Sequence, residues 1–363
     1  MSDRQKAAAV HGILSFSVRG AARGRPLNST KEACVMKQIE IAAIGEPDYA
    51  SWDSFVTASD NGTLFHKSYW LNASGRPFDL WGAYRSSNLV GGYVASRKSV
   101  LGLPMAGAPF MTFYSGFVVK KPEGSLVHQI SFQQEVASAF ARFLPEKYSW
   151  GISLFSPGVD CMLPFIWDDF IVRPWYTYRL DITDLDKVWE GLHQQRRQAI
   201  RGARAAGVRV LTDVAADKVV AVVRQTYDRQ GLRFKAGEAR AYLAELQKRK
   251  QCRMFLSVDK EGRELAAICA VWDERRVYAL MGGFSDDHNG GASPLAWWEM
   301  IRFASEELGL KELDTQGTQL PRLEAFQRKY GCRLTPHYEI RWGKAIGTLV
   351  GINRFLSHLM VLI

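Results

Sequence analysis

None of the five cysteines stands in a C-x-x-C spacing, and no two histidines form an H-x-x-x-H pair. The first absence argues against a zinc ribbon and against a disulfide framework, and it suits a reducing compartment. There is no G-x-S-x-G, no phosphate-binding P-loop and no G-x-G-x-x-G, which disfavours hydrolase, nucleoside-triphosphatase and dinucleotide-dependent readings. No run approaches 18 uninterrupted apolar residues, so a membrane-spanning helix is not expected. The apolar tail 346–363 comes nearest, but Asn353, Arg354 and His358 interrupt it, and a terminal helix packed on the domain is favoured over one lying on a membrane. Acidic residues are scarce at the N-terminus, where Lys and Arg outnumber Asp3 and Glu32 by six to two within residues 1–35. That basic segment, rich in Gly, Ala and Ser and without a sustained period, is expected to be disordered and outside the fold. Patterned sequence starts abruptly at Met36, an alternative start of translation.

What is present is a repeat. The segment from Pro174 to Arg179 (PWYTYR) returns as Pro336 to Arg341 (PHYEIR), a shared P-x-Y-x-x-R. Upstream of each copy, residues 80–97 and 255–273 read as strand, polar turn, strand. A third strand, a helix, a short apolar strand, a second short helix and the strand bearing the P-x-Y-x-x-R then follow in the same order. Two copies of one mixed α/β unit are therefore expected, with boundaries at 37–180 and 181–345. The expected arrangement is two superimposable mixed sheets facing a central cleft. Composition, 47% hydrophobic and 23% charged over 363 residues, suits two cores.

The second copy carries most of the chemistry. A strand over 277–284 leads through a glycine-containing loop, SDDHNGGAS, into a helix with Ser293 as expected N-cap and Pro294 at its first position. Unsatisfied N–H groups at a helix start favour an anion, and glycines let it approach. Asn289, Gly290, Gly291, Ala292 and Ser293 are thus donor-binding candidates, against the plainer reading of a flexible loop. A negative side chain at Gly291 is then expected to weaken donor binding. Ligands collect at the carboxyl ends of strands in open sheets, which selects Asp314, Gln316 and Thr318 at the end of the next short strand, Thr318 being equally suited to capping the helix that follows. A helix over 188–206 would align His193, Arg197, Arg201 and Arg204 on one stripe beside Arg196. No acidic residue occurs between Glu190 and Asp213, so either solvent or an external anionic substrate neutralises the stripe.

This order of elements resembles the GNAT acyltransferase fold, and the tandem arrangement resembles the FemAB-like and BioF2-like (Acetyltransf_6) acyltransferases. The matching residues are Leu313-Asp314-Thr315-Gln316-Gly317-Thr318, the helix end from Phe326 to Cys332, the segment from Arg197 to Val208, and the opening Gly62-Thr63-Leu64-Phe65 with Trp70. The resemblance spans roughly residues 37–342. It departs from the family where a lysine is expected and Gln327 stands, leaving Arg328 as the nearest cation. In the first copy the loop before the helix has one glycine, Gly124, and is not expected to hold a pyrophosphate.

The resemblance implies transfer of an acyl or aminoacyl group to an amine of a cell-envelope precursor or related small molecule. No bound cofactor or metal is implied. Acyl-CoA is the co-substrate expected, with aminoacyl-tRNA as the alternative, since the helical arm common in tRNA-using members is missing between Gly207 and Leu256. A nucleotide-sugar precursor is one candidate acceptor. Proton carriers would come from Asp314, His288 and His337, and an oxyanion donor from Tyr338. Arg197, Arg201, Arg204, Gln316, Thr318, Arg328, His66 and Tyr114 are the substrate-binding candidates. The implied setting is bacterial and cytoplasmic, with peripheral contact at the inner membrane as a variant and monomer or dimer left open. From another class, a non-catalytic tandem module binding an anionic ligand in polysaccharide assembly also fits, because Gln327 replaces the expected functional side chain.

Overall fold

The computed structural model describes residues 39–343, apart from 101, 160, 213, 288, 289 and 318. The expectations for the basic extension 1–36 and the tail 346–363 fall outside these residues, as do those for His288, Asn289 and Thr318.

The first half runs β1 (Glu40–Ala43), α1 (Tyr49–Ala58), α2 (Ser68–Asn72), β2 (Phe78–Arg85), β3 (Asn88–Val100), β4 (Leu103–Gly107), β5 (Gly116–Val119), α3 (Leu126–Lys147), β6 (Trp150–Leu154), α4 (Leu163–Trp167) and β7 (Ile171–Asp181). A helical pair, α5 (Leu185–Gly191) and α6 (Gln194–Ala205), leads into the second half. There follow β8 (Arg209–Leu211), α7 (Ala216–Arg229), α8 (Ala236–Lys248), β9 (Cys252–Val258), β10 (Glu264–Trp272), β11 (Arg276–Phe284), α9 (Ala292–Glu306), β12 (Glu312–Asp314), α10 (Pro321–Arg328) and β13 (Arg333–Gly343). The helix expected over 188–206 is two helices. The chain turns at Leu192, and the His193 ring accepts the Gln195 N–H as N-cap of α6.

The duplicated order holds, but the two expected sheets are one. Strands follow the order β1-β2-β3-β4-β6-β13-β7-β12-β11-β10-β9-β8, with β5 also paired to β3. This order reads the same from either end once each strand is exchanged for its counterpart in the other copy. The joint is a strand exchange: β7 of the first copy pairs with β12 of the second, and β13 of the second pairs with β6 of the first. The two P-x-Y-x-x-R segments lie antiparallel at the centre, Pro174 facing Tyr338 and Tyr176 facing Pro336 about the central Trp175–His337 pair. The repeated motif is thus the sequence of a pseudo-twofold joint.

Side chains alternate across the sheet, so β10 sends Ala267, Cys269 and Val271 into one core and Ala266, Ile268 and Ala270 into another. On the first face α1, α2, α7 and α8 share a single core drawn from both copies. Within it Trp70 packs edge-on against Tyr242 at 5.3 Å, Phe65 meets Tyr278 at 5.0 Å, and the Tyr242 hydroxyl donates to the Trp70 carbonyl. On the opposite face the cores stay separate, α5, α6 and α9 covering the second copy and α3 with α4 the first.

A shared core and exchanged strands leave neither copy able to fold alone, so urea unfolding should follow one transition by both tryptophan fluorescence and circular dichroism. Trp70→Ala should shift that whole transition by about 3–5 kcal/mol. Two separated transitions would contradict the shared core.

Candidate functional site

At the carboxyl end of β12 Asp314 is fully buried and surrounded by donors. The Tyr114 hydroxyl lies 3.0 Å from both carboxylate oxygens, Thr177 Oγ1 donates at 2.7 Å, Arg179 Nε at 3.1 Å and the Gln316 N–H at 2.9 Å. These partners come from three separate parts of the chain. Asp314 was expected to carry protons; with its oxygens engaged and no solvent access, it instead joins the copies. Burial, then the neighbouring carboxylate, push the Tyr114 hydroxyl well above its usual pKa, which keeps it a donor.

The histidines are equally withdrawn. His66 and His337 are buried, their Nδ1 atoms bonded to Thr63 Oγ1 at 2.8 Å and to the Phe155 carbonyl at 3.0 Å. Burial lowers His66 to about 3 and His337 to about 4, so both are neutral at pH 7. The His337 ring stands edge-on to Tyr114 at 5.4 Å. Tyr114, Asp314 and His337 are therefore brought together, as a packed junction rather than an open site. Tyr338 is half-buried on β13 against the first copy's core, and Gln316 takes a left-handed turn at φ +59° beyond Asp314. Gln327 is buried and donates to the Thr315 carbonyl at 3.3 Å, tying α10 to that turn. Arg328 is on the surface beside Glu324.

The basic stripe has partners that sequence spacing did not reveal. Arg197 Nη1 donates to the carbonyls of Glu190 and Leu192, both at 2.6 Å, closing the end of α5. Arg201 lies over the Trp189 ring, and Arg204 pairs with Glu299 of α9 at 2.7 Å. These contacts hold α6 in place, while Arg201 and Arg204 stay exposed.

Around the loop before α9, Gly291 is buried because α6 presses against it: an added Cβ would sit 2.5 Å from the Ala199 carbonyl oxygen. A negative side chain there tests this packing as well as any ligand. Gly290, at φ +69°, is exposed with open space around its Cβ position. The N-cap of α9 is Gly291, so Ala292 and Ser293 fall in the first turn, the latter half-buried.

Beside this loop the sheet divides in a notch between two strands. Strand β11 pairs in parallel with β12 only over Arg276–Tyr278, and the two then part. On its other edge β11 remains paired to β10, with Leu280 bulged out of register between Ala279 and Met281. Among the described residues the stretch 279–283 pairs with β10 and with no strand on its other edge; farther along, the Phe284 N–H donates to Thr226 Oγ1 and its carbonyl accepts from Arg229. Sequence patterning did not disclose the notch. Gly282-Gly283 inside a strand is the signal that could have revealed it, since glycine pairs there accompany close backbone approach.

In the first copy the bulge has grown into an excursion. Strands β4 and β5 both pair with β3, and residues 108–115 between them cross to the second copy, placing Tyr114 on Asp314 and Phe113 against Gly317. At its end the excursion returns to β6, the Ser115 N–H donating to the Leu154 carbonyl at 2.8 Å. Among the described residues no group of three His, Cys, Asp or Glu is arranged to hold a metal ion, and no helix is long and apolar enough to cross a membrane.

Residues 192–321 match the family model described as Acetyltransferase (GNAT) domain. The matched stretch, 130 of the 363 residues, runs from the start of α6 to the start of α10. Its fold is similar to that of FemX, at 15% identity and a TM-score of 0.65 over 86% of this chain and 99% of that one. It is also similar to the C-terminal domain of a putative lysylphosphatidylglycerol synthetase from Agrobacterium fabrum, at 11% identity and TM-score 0.54 over 84% and 96% of the two chains. L-PGS from Bacillus licheniformis stands at 12% identity and TM-score 0.54, over 87% and 98%. No curated protein matches the sequence.

Removing the buried carboxylate's charge by Asp314→Asn should cost about 3–5 kcal/mol in urea unfolding, because buried Arg179 keeps only its longer contact to Glu312, and Tyr114→Phe about 1–3 kcal/mol. The histidines set the pH dependence. The unfolded chain takes up their protons below about pH 6.5, whereas the fold resists down to about 4 and 3. Stability is therefore complete above pH 6.5 and falls below it by about 1.4 kcal/mol per pH unit for each histidine. His337→Asn should flatten the slope between pH 6.5 and 4, measured by urea midpoints at each pH.

Proposed function

We propose that the protein is an N-acyltransferase that takes its acyl group from acyl-CoA in the notch of the second copy and delivers it to an amine of a cell-envelope precursor or related small molecule. The parting of β11 from β12 with Leu280 bulged at the divergence carries this reading. An extended arm bearing amides can lie along the unpartnered edge of 279–283 as an added strand. A thioester carbonyl placed at the bulge would meet a backbone N–H outside the ladder. Transfer then needs no nucleophilic side chain. A neutral amine attacks the carbonyl carbon, the oxyanion is held by backbone donors, and collapse expels the thiolate. The proton lost by nitrogen ends on the thiolate, giving amide and free thiol.

The anionic end of the donor would extend toward Gly290 and Ser293 at the start of α9, where the helix dipole favours negative charge. The first copy is assigned no donor, because Ser115 bonds to the end of β6 where the corresponding strands would part. Acyl-CoA is preferred to aminoacyl-tRNA because the arginines of α6 are engaged within the fold. The described titratable groups at the junction are buried, which supports a mechanism resting on alignment and backbone donors. The same fact favours a non-catalytic binding module as the second reading.

Isothermal titration with acetyl-CoA and product detection by mass spectrometry against a panel of amine acceptors test the assignment. Leu280→Pro removes the N–H at the bulge, a position where proline is tolerated in a sheet. It should lower kcat by about 10²–10³-fold with donor affinity little changed, as for the loss of one oxyanion donor. Donor binding without turnover on any acceptor would favour the binding module, and no donor binding at all would remove the notch assignment.

A further inference from the structure

The pseudo-twofold relation leaves one difference between the copies unexplained by the chemistry. In the second copy α6 lies across the start of α9 and the end of α10. Ala199 and Ala203 press on Gly291, the Arg196 guanidinium stacks on Phe326 and Tyr330, and the His193 N–H donates to the Lys329 carbonyl at 2.9 Å. The counterparts in the first copy are the start of α3 and the end of α4, and the Cys161 N–H just before α4 donates to Gln133 Oε1 within α3. Within the described structure no helix lies over them. Leu126 and Val127 on α3 are 70% and 74% exposed, and Leu163, Ile166 and Trp167 on α4 are 45%, 50% and 61% exposed. Half of the exposed large hydrophobics of the described protein fall on this strip, counting Ile130, and they lie on α3 and α4, the elements corresponding to α9 and α10.

We propose that residues 344–363 of this chain cover the strip, as α6 covers its counterpart. The described chain ends beside it: Gly343 pairs with Trp150, Trp342 packs on Phe170 at 5.3 Å, and Phe170 lies three residues beyond Trp167. Twenty residues remain, more than the twelve of α6, and Leu349, Phe355, Leu356 and Leu359 supply apolar surface to match. Charge distinguishes this occupant from an anionic lipid surface. Asp168 and Asp169 are exposed at the end of the strip where the chain emerges, while the segment carries Lys344 and Arg354 and no acidic residue.

Hydroxyl-radical footprinting read by mass spectrometry measures the accessibility of Trp167 in the full chain. Low labelling is expected at concentrations where light scattering shows a monomer and no lipid is present. It should rise several-fold in a chain ending at Gly343. In case the shortened chain fails to fold, Ile166→Asp in the full-length protein provides a second test: Trp167 labelling should rise and tryptic cleavage after Arg354 should accelerate. Equal labelling of the full and shortened chains overturns the proposal. Protection that develops only with phosphatidylglycerol vesicles overturns it in favour of a membrane surface, and protection that grows only with dimer formation overturns it in favour of a second copy.

Discussion

A single carboxylate held out of water governs the centre of the molecule. Asp314 ends the short strand β12, and its oxygens bind a tyrosine from the first copy's excursion, a threonine and an arginine from the exchanged strand β7, and the amide of its own following turn. An isolated buried charge is costly, so these partners are obligatory rather than ornamental. The network continues outward, since Arg179 also approaches Glu312 at 3.5 Å and Glu312 pairs with Arg276 on β11. The strand pairing that joins the copies and the strand that borders the notch are therefore held by one set of charges.

From that constraint follows the asymmetry between the halves. Duplication supplies two equivalent places where the third strand can leave the fourth. In the second copy the departure is marked by one bulged residue, Leu280. In the first copy the same position holds residues 108–115, which supply Tyr114 to the carboxylate and Phe113 to the turn at Gly317. The loop that returns to β6 in the first copy is thus the one that secures the junction beside the notch of the second. The shared aromatic core on the first face, with Trp70 on Tyr242 and Phe65 on Tyr278, limits any motion of the halves against one another, because opening them would expose rings from both.

The helices divide according to what they cover. Those of the first face bridge the copies, whereas those of the second face serve one copy each. Helix α6 is an exception in composition, being strongly basic, and its charges are absorbed locally by the carbonyls closing α5, by Trp189 and by Glu299. Arginine suits that role because its planar fork satisfies several carbonyls while its face lies on an aromatic ring.

The order of elements, the duplication and the mixed α/β class were legible in the sequence because they rest on local signals: periodicity, turn residues and a motif repeated in both central strands. Gly309 at φ +64° after α9 and the strand over Arg276–Phe284 lie close to where patterning placed them. Exchange of β7 and β13 was not legible, since an identical pattern suits a strand paired within its own copy, and partner choice depends on residues far away in the chain. For the same reason Asp314, the buried histidines and the α6 arginines were visible as chemically capable side chains, whereas the partners that engage them were not. Sequence determines which groups are available and in what order; whether a carboxylate meets solvent or a tyrosine two hundred positions away is decided only when the chain has packed, because desolvation and hydrogen-bond satisfaction are properties of surroundings, not of neighbours in sequence.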